Sequence, residues 1–363
     1  MKIIITYASA GAGHLKAAEA IYSYLKEHHK EIDVKIIDVL TKANALFRLS
    51  YKYTYLLMVK YALLLWHWGF RITHNRPLRI FTREISSLTN RVNTKDFAKF
   101  LIEEKADFII STHFLPSKIA ASLRISRKIS SKLVTVITDF GVHRFWISKG
   151  TDIYVVASGF TKQQLILEGI KEESIKVIGI PLDAKFTLKY EKSALLKKFN
   201  LKQNKFTVLI TTGSFGIGPI EEIVDLLHNN AQIIVVCANN KRLFKRLKNK
   251  NYPSVLTLGF VNNIQELMAV SDIIITKPGG LTISEALVME LVPVFIHPIP
   301  GQETENAKIL EKYGVSLSIE RTEDVREVIL DYKYNPEKLN KIREKIREIK
   351  KPFASQELYN VIR

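Results

Sequence analysis

The sequence predicts an α/β protein with two Rossmann-like, doubly wound domains in tandem. A short apolar strand followed at once by a glycine-rich turn occurs twice, at 2–13 and at 206–218. After each of them, apolar runs of strand length alternate with helical stretches, as in parallel sheets with crossover helices. The chain has 363 residues, which is enough for two hydrophobic cores of ordinary size.

The first domain is expected to span residues 1–185. Its strands are predicted at Lys2–Tyr7, Ile32–Asp38, Phe108–Thr112, Leu133–Thr138, Ile153–Ala157 and Ile175–Gly179. A glycine turn at Ala10–Gly13 separates the first strand from a helix at about Leu15–His28. Further helices are expected between the later strands, which gives a mainly parallel sheet.

The second domain is expected to span residues 186–350, after a polar linker at Pro181–Lys205 that contains a short helix at Ser193–Phe199. Its strands are predicted at Phe206–Thr212, Ile233–Cys237, Val255–Leu258, Ile273–Thr276 and Pro293–His297, with Val315–Ile319 as a further candidate. A charged helical tail starts at Pro336, and Pro352 should end or kink it. Residues 351–363 are therefore expected to form a separate last helix.

A basic, aromatic-rich segment at about 41–95 interrupts the first domain. It holds ten basic residues and one acid, a net +9 out of a formal charge of +18 for the chain. Cations mixed with Trp, Tyr and Leu suit the interface of an anionic membrane. The most apolar stretch, Tyr53–Trp68, is too short to span a bilayer. The predicted membrane contacts are Lys52, Lys60, Trp66, Trp68 and Arg71.

Two other interpretations of this segment stay open. It could be an ordinary core helix, or it could bind nucleic acid, although a phosphate backbone would make no contact with its leucines.

Cys237 is the only cysteine in the sequence, so no internal disulfide can form and a cytosolic setting is the simplest. The apolar start Ile3–Ile5 is too short for a signal peptide. The sequence thus predicts a peripheral protein on the cytoplasmic face of a membrane, without a nucleic-acid partner.

The run 273–306 joins a strand, a glycine pair, a helix, a second strand and a polar loop. Gly279 and Gly280 are expected to form a tight turn, and Thr282 to cap a helix that begins at Ile283. Backbone N–H groups at a helix start favour a diphosphate. Carboxylate and amide side chains suited to ribose and sugar hydroxyls follow, at Glu285, Gln302, Glu303 and Asn306. A glycine pair before a helix is also common without any ligand.

Two motifs in this run, G-G-x-T-x-x-E at 279–285 and P-G-Q-E-x-x-N at 300–306, resemble the donor-site signature of glycosyltransferase family 28. The resemblance implies a UDP-sugar donor and the GT-B architecture, in which two Rossmann-like domains face a central cleft. It assigns the diphosphate to Gly279, Gly280, Leu281 and Thr282, the ribose to Glu285, and the transferred sugar to Gln302 and Glu303. It also implies that Phe260 and Val261 flank the uracil. Independently of the resemblance, the glycine loop with Gly213, Ser214 and Gly216 can bring backbone N–H groups near a phosphate, although such loops are common.

His14 follows the first strand, at the sheet edge where open α/β sheets bind ligands. A histidine with a pKa near neutrality can take a proton from an attacking alcohol. Asp139 follows another predicted strand and could orient this histidine or share its proton. A histidine that only lines the turn, and an aspartate that forms an Asx turn, are the structural alternatives.

The string S-A-G-A-G-H at 9–14 and the string T-D-x-x-x-H-x-x-W at 138–146 resemble the diacylglycerol glycosyltransferases, which include monogalactosyldiacylglycerol synthases. This resemblance implies transfer of a hexose to diacylglycerol with inversion, giving a β-glycolipid. His14 and Asp139 would be catalytic. The acceptor side would contain Gly13, His113, His143 and Trp146. In the resembling family, the last helix returns to the first domain.

No metal or other cofactor is expected, because the histidines are scattered, the acids are not clustered at ligand spacing, and no D-x-D element ends a strand. Three other functions stay open from the sequence. They are a transferase that uses UDP-N-acetylglucosamine and a polyprenyl-linked acceptor, a sugar-nucleotide epimerase of the same fold, and a non-catalytic basic protein that binds lipid.

Overall fold

The computed structural model describes residues 1–9, 11–50, 93–213 and 216–363. It divides into two compact units, which are described separately. The first comprises Met1–Ala184, Ile299–Glu305 and Phe353–Arg363, and the second comprises Lys185–Pro298 and Asn306–Pro352. The predicted membrane contacts Lys52, Lys60, Trp66, Trp68 and Arg71, and the predicted phosphate contact Ser214, lie outside the described residues.

Each unit contains a six-stranded parallel sheet. The first sheet is formed by β1 Lys2–Tyr7, β2 Asp33–Asp38, β3 Phe108–Ser111, β4 Lys132–Val136, β5 Ile153–Val156 and β6 Ile175–Val177, in the order β2-β1-β3-β4-β5-β6. The second is formed by β7 Thr207–Thr211, β8 Gln232–Val236, β9 Val255–Leu258, β10 Ile273–Thr276, β11 Val292–Ile296 and β12 Leu317–Ile319, in the order β12-β11-β10-β7-β8-β9. The predicted α/β class with two parallel sheets is confirmed.

The helices of the described residues are α1 Ala12–His28, α2 Lys95–Glu104, α3 Phe114–Ile125, α4 Gly159–Leu167, α5 Lys192–Lys198, α6 Ile220–Leu227, α7 Lys241–Asn249, α8 Ile264–Val270, α9 Gly280–Val288, α10 Gln302–Tyr313, α11 Val325–Tyr334, α12 Pro336–Ile349 and α13 Ala354–Ile362. Short 3-10 turns occur at Val39–Lys42, Arg144–Trp146, Glu172–Ser174, Ala184–Thr187 and Thr322–Asp324. None of these helices is both long enough and apolar enough to cross a membrane.

Two predicted helix starts are wrong. α1 begins at Ala12 rather than Leu15, so His14 lies inside its first turn. α9 begins at Gly280 rather than Ile283, and Thr282 does not cap it. The glycine pair also makes no left-handed turn, because Gly279 is extended with φ −74° and Gly280 is already helical. Helix formation here starts directly from the extended strand exit, without the tight turn that two adjacent glycines suggest.

The central strand β1 explains why the first unit has helices on both faces of its sheet. Ile3 packs in a core cluster with Ile21 of α1, and Ile4 packs in another cluster with Phe97 of α2. Alternate residues of a strand point to opposite faces, so a run of isoleucines buries both faces at once. The prediction of a buried parallel strand at Lys2–Tyr7 is therefore confirmed.

The C-terminal helix α13 packs with the first unit. Leu358 and Ile362 lie in the same cluster as Ile21 and Leu25 of α1, and Tyr359 stacks on His29 with ring centroids 3.6 Å apart. Pro352 lies between α12 and α13, because proline cannot continue a helix. The helical tail is thus divided, and its last helix packs against the core of the first unit.

Each sheet has a topological switch point, where strands that follow one another in the sequence are added on opposite sides of the starting strand. In the first sheet β1 lies between β2 and β3, and in the second β7 lies between β8 and β10. The loops that leave the carboxyl ends of such neighbouring strands run to opposite faces and open a crevice between them. The first crevice receives the residues that follow β1, β3 and β4, and the second receives those that follow β7 and β10.

Candidate active site

His14 lies at the first crevice and is held by the residues that end β3 and β4. Its Nδ1 lies 2.8 Å from the carbonyl oxygen of Thr112 and 2.9 Å from Oγ1 of Thr138. The hydroxyl of Thr112 in turn lies 2.8 Å from the carbonyl oxygen of His14 and donates to it. The imidazole ring is therefore oriented by backbone and hydroxyl groups from two neighbouring strand ends.

The bond to Thr112 also decides which ring nitrogen carries the proton. A carbonyl oxygen only accepts hydrogen bonds, so Nδ1 of neutral His14 is protonated and donates. Nε2 is then left with a lone pair, which is the atom that a general base needs. Burial lowers the pKa of His14, while the Asp139 carboxylate and the Thr112 carbonyl act in the opposite direction. The imidazole is therefore held in its neutral, basic form.

This balance predicts the pH dependence of turnover. The rate should fall on the acid side only as pH passes through the lowered pKa of His14, which lies below the usual value of about 6.5. Replacing Asp139 with asparagine removes a charge that favours the imidazolium, so the acid limb of kcat/KM should move to still lower pH. Asp33→Asn, at an exposed position on β2, is the matched control. An acid limb that moved upward in Asp139→Asn would contradict this electrostatic arrangement.

Aromatic rings and histidines surround His14. The His14 and His113 rings meet edge to face with centroids 4.5 Å apart, and the Trp146 ring lies 6.1 Å from His14. Phe114 lies 4.2 Å from His113 and 5.5 Å from Phe145. His113 and Trp146 are buried, and burial, together with repulsion from His14 when that ring is protonated, lowers the pKa of His113 well below its usual range. An aromatic cluster therefore lies beside the His14 imidazole, on the side of His113 and Trp146.

Both histidines predicted for the acceptor side also cap a helix or turn. Nδ1 of His113 accepts the Leu115 N–H at 3.0 Å and caps α3, and Nδ1 of His143 accepts the Phe145 N–H at 3.2 Å and caps the 3-10 turn. Each is therefore the Nε2–H tautomer when neutral. The structure brings His14, His113 and Trp146 together, and it places His143 beside Phe145 with ring centroids 4.4 Å apart.

Asp139 acts on His14 by charge, whereas Thr112 and Thr138 make the orienting hydrogen bonds. Its side chain is buried, and its Oδ2 accepts a hydrogen bond from the Gln302 amide. Gln302 belongs to the segment Ile299–Glu305, which packs as part of the first unit. In the same segment Glu303 accepts the Ile299 N–H at 2.7 Å. The predicted base, its neighbouring carboxylate and one predicted sugar-binding residue therefore lie in one unit.

The loop 138–146 that carries Asp139 is attached to one face of α4. The Thr161 hydroxyl donates to the Phe140 carbonyl at 2.8 Å, and the side-chain oxygen Oε1 of Gln164 accepts the Val142 N–H at 2.9 Å. Arg144 donates to Glu168 from Nε at 2.9 Å and from a terminal nitrogen at 2.7 Å. Residues 161, 164 and 168 recur at helical spacing, so one face of the helix positions the whole loop.

Gln164→Leu should therefore lower kcat by about tenfold, because a catalytic loop displaced by a fraction of an ångström loses much of its alignment. The lost contact is the hydrogen bond from the Val142 N–H to the Gln164 side chain, so Gln164→Glu, which keeps an acceptor oxygen, should restore most of the rate. Gln163→Leu, at the exposed neighbouring position, is the control. The variants would be compared by steady-state kinetics. Equal rates for Gln164→Leu and Gln163→Leu would contradict this positioning role.

In the second unit, the loop after β7 closely approaches the loop after β8. Gly216 has φ +55°, and a Cβ there would lie 2.5 Å from the Cys237 carbonyl oxygen. The Asn240 amide donates to the Gly216 carbonyl at 2.9 Å and its oxygen accepts the Leu243 N–H at 3.0 Å. Asn240 thus holds the loop after β7 and the start of α7 together.

Polar groups without internal partners lie at the second crevice. The buried Thr212 hydroxyl oxygen, at the end of β7, has no hydrogen-bond partner among the described residues. No side chain caps α9, and its first internal hydrogen bond runs from the Ile283 N–H to the Gly279 carbonyl, so the N–H groups of 280–282 precede the ladder. A Cβ on Gly279 would meet nothing within 4 Å. The helix start therefore faces open space with its donors available for an anion.

The remaining predicted donor residues have different surroundings. Asn306 is fully buried and donates to the Pro278 carbonyl at 3.0 Å, which fixes the loop before α9. Phe260 is 65% exposed at the end of β9, as a ring that stacks on a ligand would be before binding. Glu285 and Val261 are half-buried, and Gly213 has φ +76°. Asn306 therefore has a structural role in fixing the loop before α9.

Neither a thiol nucleophile nor a clustered metal site is found in the described part of the chain. Burial raises the pKa of Cys237 to about 11, so its thiol stays protonated. No three side chains of His, Cys, Asp and Glu in the described ranges converge as metal ligands would.

Sequence comparisons connect both units with known proteins. A family model described as monogalactosyldiacylglycerol synthase matches residues 14–182, and the glycosyltransferase family 28 C-terminal domain matches residues 207–357. A processive diacylglycerol beta-glucosyltransferase of Bacillus pumilus is 30% identical over 98% of this chain and 92% of its own length. One of Staphylococcus epidermidis is 31% identical over 98% and 91%. The chain belongs to the processive diacylglycerol beta-glucosyltransferase family. This member is therefore a glycosyltransferase.

Solved structures support the fold of this transferase. Acinetobacter baumannii MurG superposes with a TM-score of 0.65 at 14% identity, covering 99% of both chains. The Staphylococcus aureus MnaA complex with UDP gives a TM-score of 0.63 at 16% identity, covering 100% of this chain and 96% of that one. The transferase has the GT-B fold, as the motifs at 279–285 and 300–306 implied.

Several residues of the candidate site have no role in the sequence-based prediction. Thr112 and Thr138 orient His14, and Thr161 and Gln164 attach the Asp139 loop to α4. The two strand-end threonines lie beside residues already singled out, so their position was a usable signal. Thr161 and Gln164 gave none, because polar residues on a helix face are ordinary on any surface.

Proposed function

We propose that the protein transfers a hexose from a UDP-sugar to diacylglycerol with inversion, giving a β-glycolipid. The relatives at 30–31% identity are named as diacylglycerol beta-glucosyltransferases, so glucose is the first sugar to test. His14 would be the base, Asp139 would tune it, and the aromatic cluster with Gly13, His113, His143 and Trp146 would receive the lipid alcohol.

The observation that carries this proposal is the hydrogen bond between Nδ1 of His14 and the Thr112 carbonyl. It leaves Nε2 to take the proton of the acceptor hydroxyl as the oxygen attacks the anomeric carbon. An alcohol is a poor nucleophile until its proton is removed, so a neutral imidazole beside aromatic rings suits this step. Attack from the face opposite the leaving UDP inverts the anomeric configuration.

The second crevice would hold the UDP. Backbone N–H groups at Gly280–Thr282, the dipole of α9 and the Thr212 hydroxyl would stabilise the diphosphate charge that develops as the bond to the sugar breaks. Gly213, Ser214 and Gly279 would approach the phosphates, Glu285 the ribose, and Phe260 with Val261 the uracil. Gln302 and Glu303 would bind the sugar. No metal or other cofactor enters this mechanism.

The protein would work as a peripheral protein on the cytoplasmic face of an anionic membrane. The lipid acceptor requires such a position, and the sequence 41–95, with its predicted contacts Lys52, Lys60, Trp66, Trp68 and Arg71, has the composition of an interfacial segment. The polyprenyl-acceptor transferase, the epimerase and the non-catalytic lipid binder are less favoured, because the near-full-length relatives are named as diacylglycerol glucosyltransferases.

The test is incubation of the full chain with vesicles that contain diacylglycerol and anionic lipid, with UDP-glucose, UDP-galactose or UDP-N-acetylglucosamine, followed by lipid chromatography. We expect a hexosyl-diacylglycerol with a β linkage by NMR. No glycolipid with any of the three donors would overturn the proposed reaction. An α-linked product would overturn the inverting mechanism while leaving the substrates in place.

A further inference from the structure

Helix α7 of the second unit has a stripe of exposed lysines that is distinct from the residues of the proposed site. Lys241, Lys245 and Lys248 lie at i, i+4 and i+7, so they share one face of the helix. Leu243 and Leu247 are buried on the opposite face. The whole helix carries only positive charges, since its sequence KRLFKRLKN contains no acid. The lysine stripe therefore points away from the core of its unit.

The ion pairs of this helix are selective. Arg246 pairs with Glu221 of α6 at 2.6 Å, and Lys250, just after the helix, pairs with Asp225 at 2.5 Å. In the described ranges, by contrast, no acid pairs with Lys241, Lys245 or Lys248. The helix thus neutralises the cations that face its neighbour and leaves the outward lysine stripe uncompensated. Like charges at i and i+4 destabilise an isolated helix, so the stripe is unfavourable without an anionic partner.

The basic helix α12 in the same unit provides a contrast. Its lysines Lys338, Lys341 and Lys345 have similar spacing, but Glu337, Glu344 and Glu348 are interleaved with them. Lys338 pairs with Asp331, and Arg347 pairs with Glu290 at 2.7 Å. A mixed-sign helix of this kind is an ordinary solvated surface. Helix α7 differs from α12 because it contains no acidic residue and because its stripe lysines form no ion pair with the described acids.

We propose that the lysine stripe Lys241–Lys245–Lys248 is an anionic-membrane contact of the UDP-sugar-binding unit. The partner is a bilayer surface rich in acidic phospholipid, because the proposed acceptor is a membrane lipid and each cation near such a surface adds to binding. This inference rests on the proposed function for the identity of its partner. Long lysine side chains in one row reach headgroups without insertion of the helix, which suits reversible contact. The second unit thus has a membrane-binding surface of its own.

The test is co-sedimentation of the full chain with phosphatidylglycerol–phosphatidylcholine vesicles, without UDP-sugar. The triple variant Lys241→Gln, Lys245→Gln, Lys248→Gln should bind these vesicles at least about tenfold more weakly. The matched control is Lys338→Gln, Lys341→Gln, Lys345→Gln on α12, which removes the same charge and should bind like the unaltered protein. Binding of the unaltered protein should also weaken with added salt.

Three outcomes would overturn this proposal. They are unchanged vesicle binding in the α7 variant, an equal loss in the α12 variant, and a loss confined to binding of a short DNA duplex. Failure of the proposed function is detected separately, because turnover of a short-chain, water-soluble diacylglycerol needs no membrane. If the α7 variant loses vesicle binding and the unaltered protein glycosylates no lipid, the membrane contact of the lysine stripe is supported and the proposed hexose transfer is wrong.

Discussion

His14→Ala should lower kcat by about 10² to 10⁴-fold, which is the usual contribution of a general base. The variant loses Nε2 of His14, which lies beside the aromatic cluster. This nitrogen is unprotonated in the neutral ring because the Thr112 carbonyl keeps the proton on Nδ1. The KM for the UDP-sugar should change by less than about twofold, because the base acts on the acceptor hydroxyl in the transition state. Steady-state kinetics with vesicle-bound diacylglycerol would measure both constants.

His28→Ala is the matched control for this experiment. His28 lies at the end of the same helix α1, is exposed, and contacts only the Tyr24 carbonyl and ring in the described chain. Its loss should leave kcat unchanged. If His14→Ala retained more than half of the rate and unfolded like the unaltered protein, His14 would not be the base.

Gly216→Ala should reduce the free energy of unfolding of the second unit by about 2 to 4 kcal/mol. Two costs add at this position. The backbone has φ +55°, which L-residues rarely adopt, and the new Cβ would lie 2.5 Å from the Cys237 carbonyl oxygen. The loop after β7 would have to move away from the loop after β8, so affinity for UDP should fall as well. Urea unfolding and UDP titration would measure the two effects.

Gly169→Ala separates these two costs. Gly169 also has a positive φ, +85°, but a Cβ there would meet nothing within 4 Å. Its replacement should cost only about 1 kcal/mol of stability, from backbone strain alone. Equal losses for the two variants would show that the close approach at Gly216 relaxes freely and that only its conformation matters.

The fold could be predicted from the sequence because its strongest signals are local. Isoleucine runs such as Ile3–Ile5 and Ile273–Ile275 are buried on both faces of a parallel strand, and strand ends agree with the structure within two residues. The motifs at 279–285 and 300–306 likewise gave the fold family. Helix starts were less accurate, because glycine is compatible with a turn, a cap or the first helical residue, and only tertiary packing chooses among them.

The details of the candidate site depend on contacts between residues far apart in the chain. Thr112 and Thr138 lie 98 and 124 positions from His14, so no spacing rule connects them with it. The sequence predicted that His14 and Asp139 follow strands of one sheet, and the structure places them after β1 and β4. It could not show that a carbonyl and a hydroxyl orient the ring and that the carboxylate acts through its charge.

A main-chain oxygen, the Thr112 carbonyl, determines which ring nitrogen of neutral His14 carries the proton, so the tautomer does not depend on a single side chain. In a triad held by an aspartate, one substitution can reverse the tautomer of the histidine. Here the Thr112 carbonyl is present whatever side chain stands at 112, and the Thr112 N–H is anchored 2.9 Å from the Thr6 carbonyl in the sheet. A substitution at 112 would remove the hydroxyl that holds the His14 main chain, but it would leave in place the carbonyl acceptor that keeps the proton of neutral His14 on Nδ1.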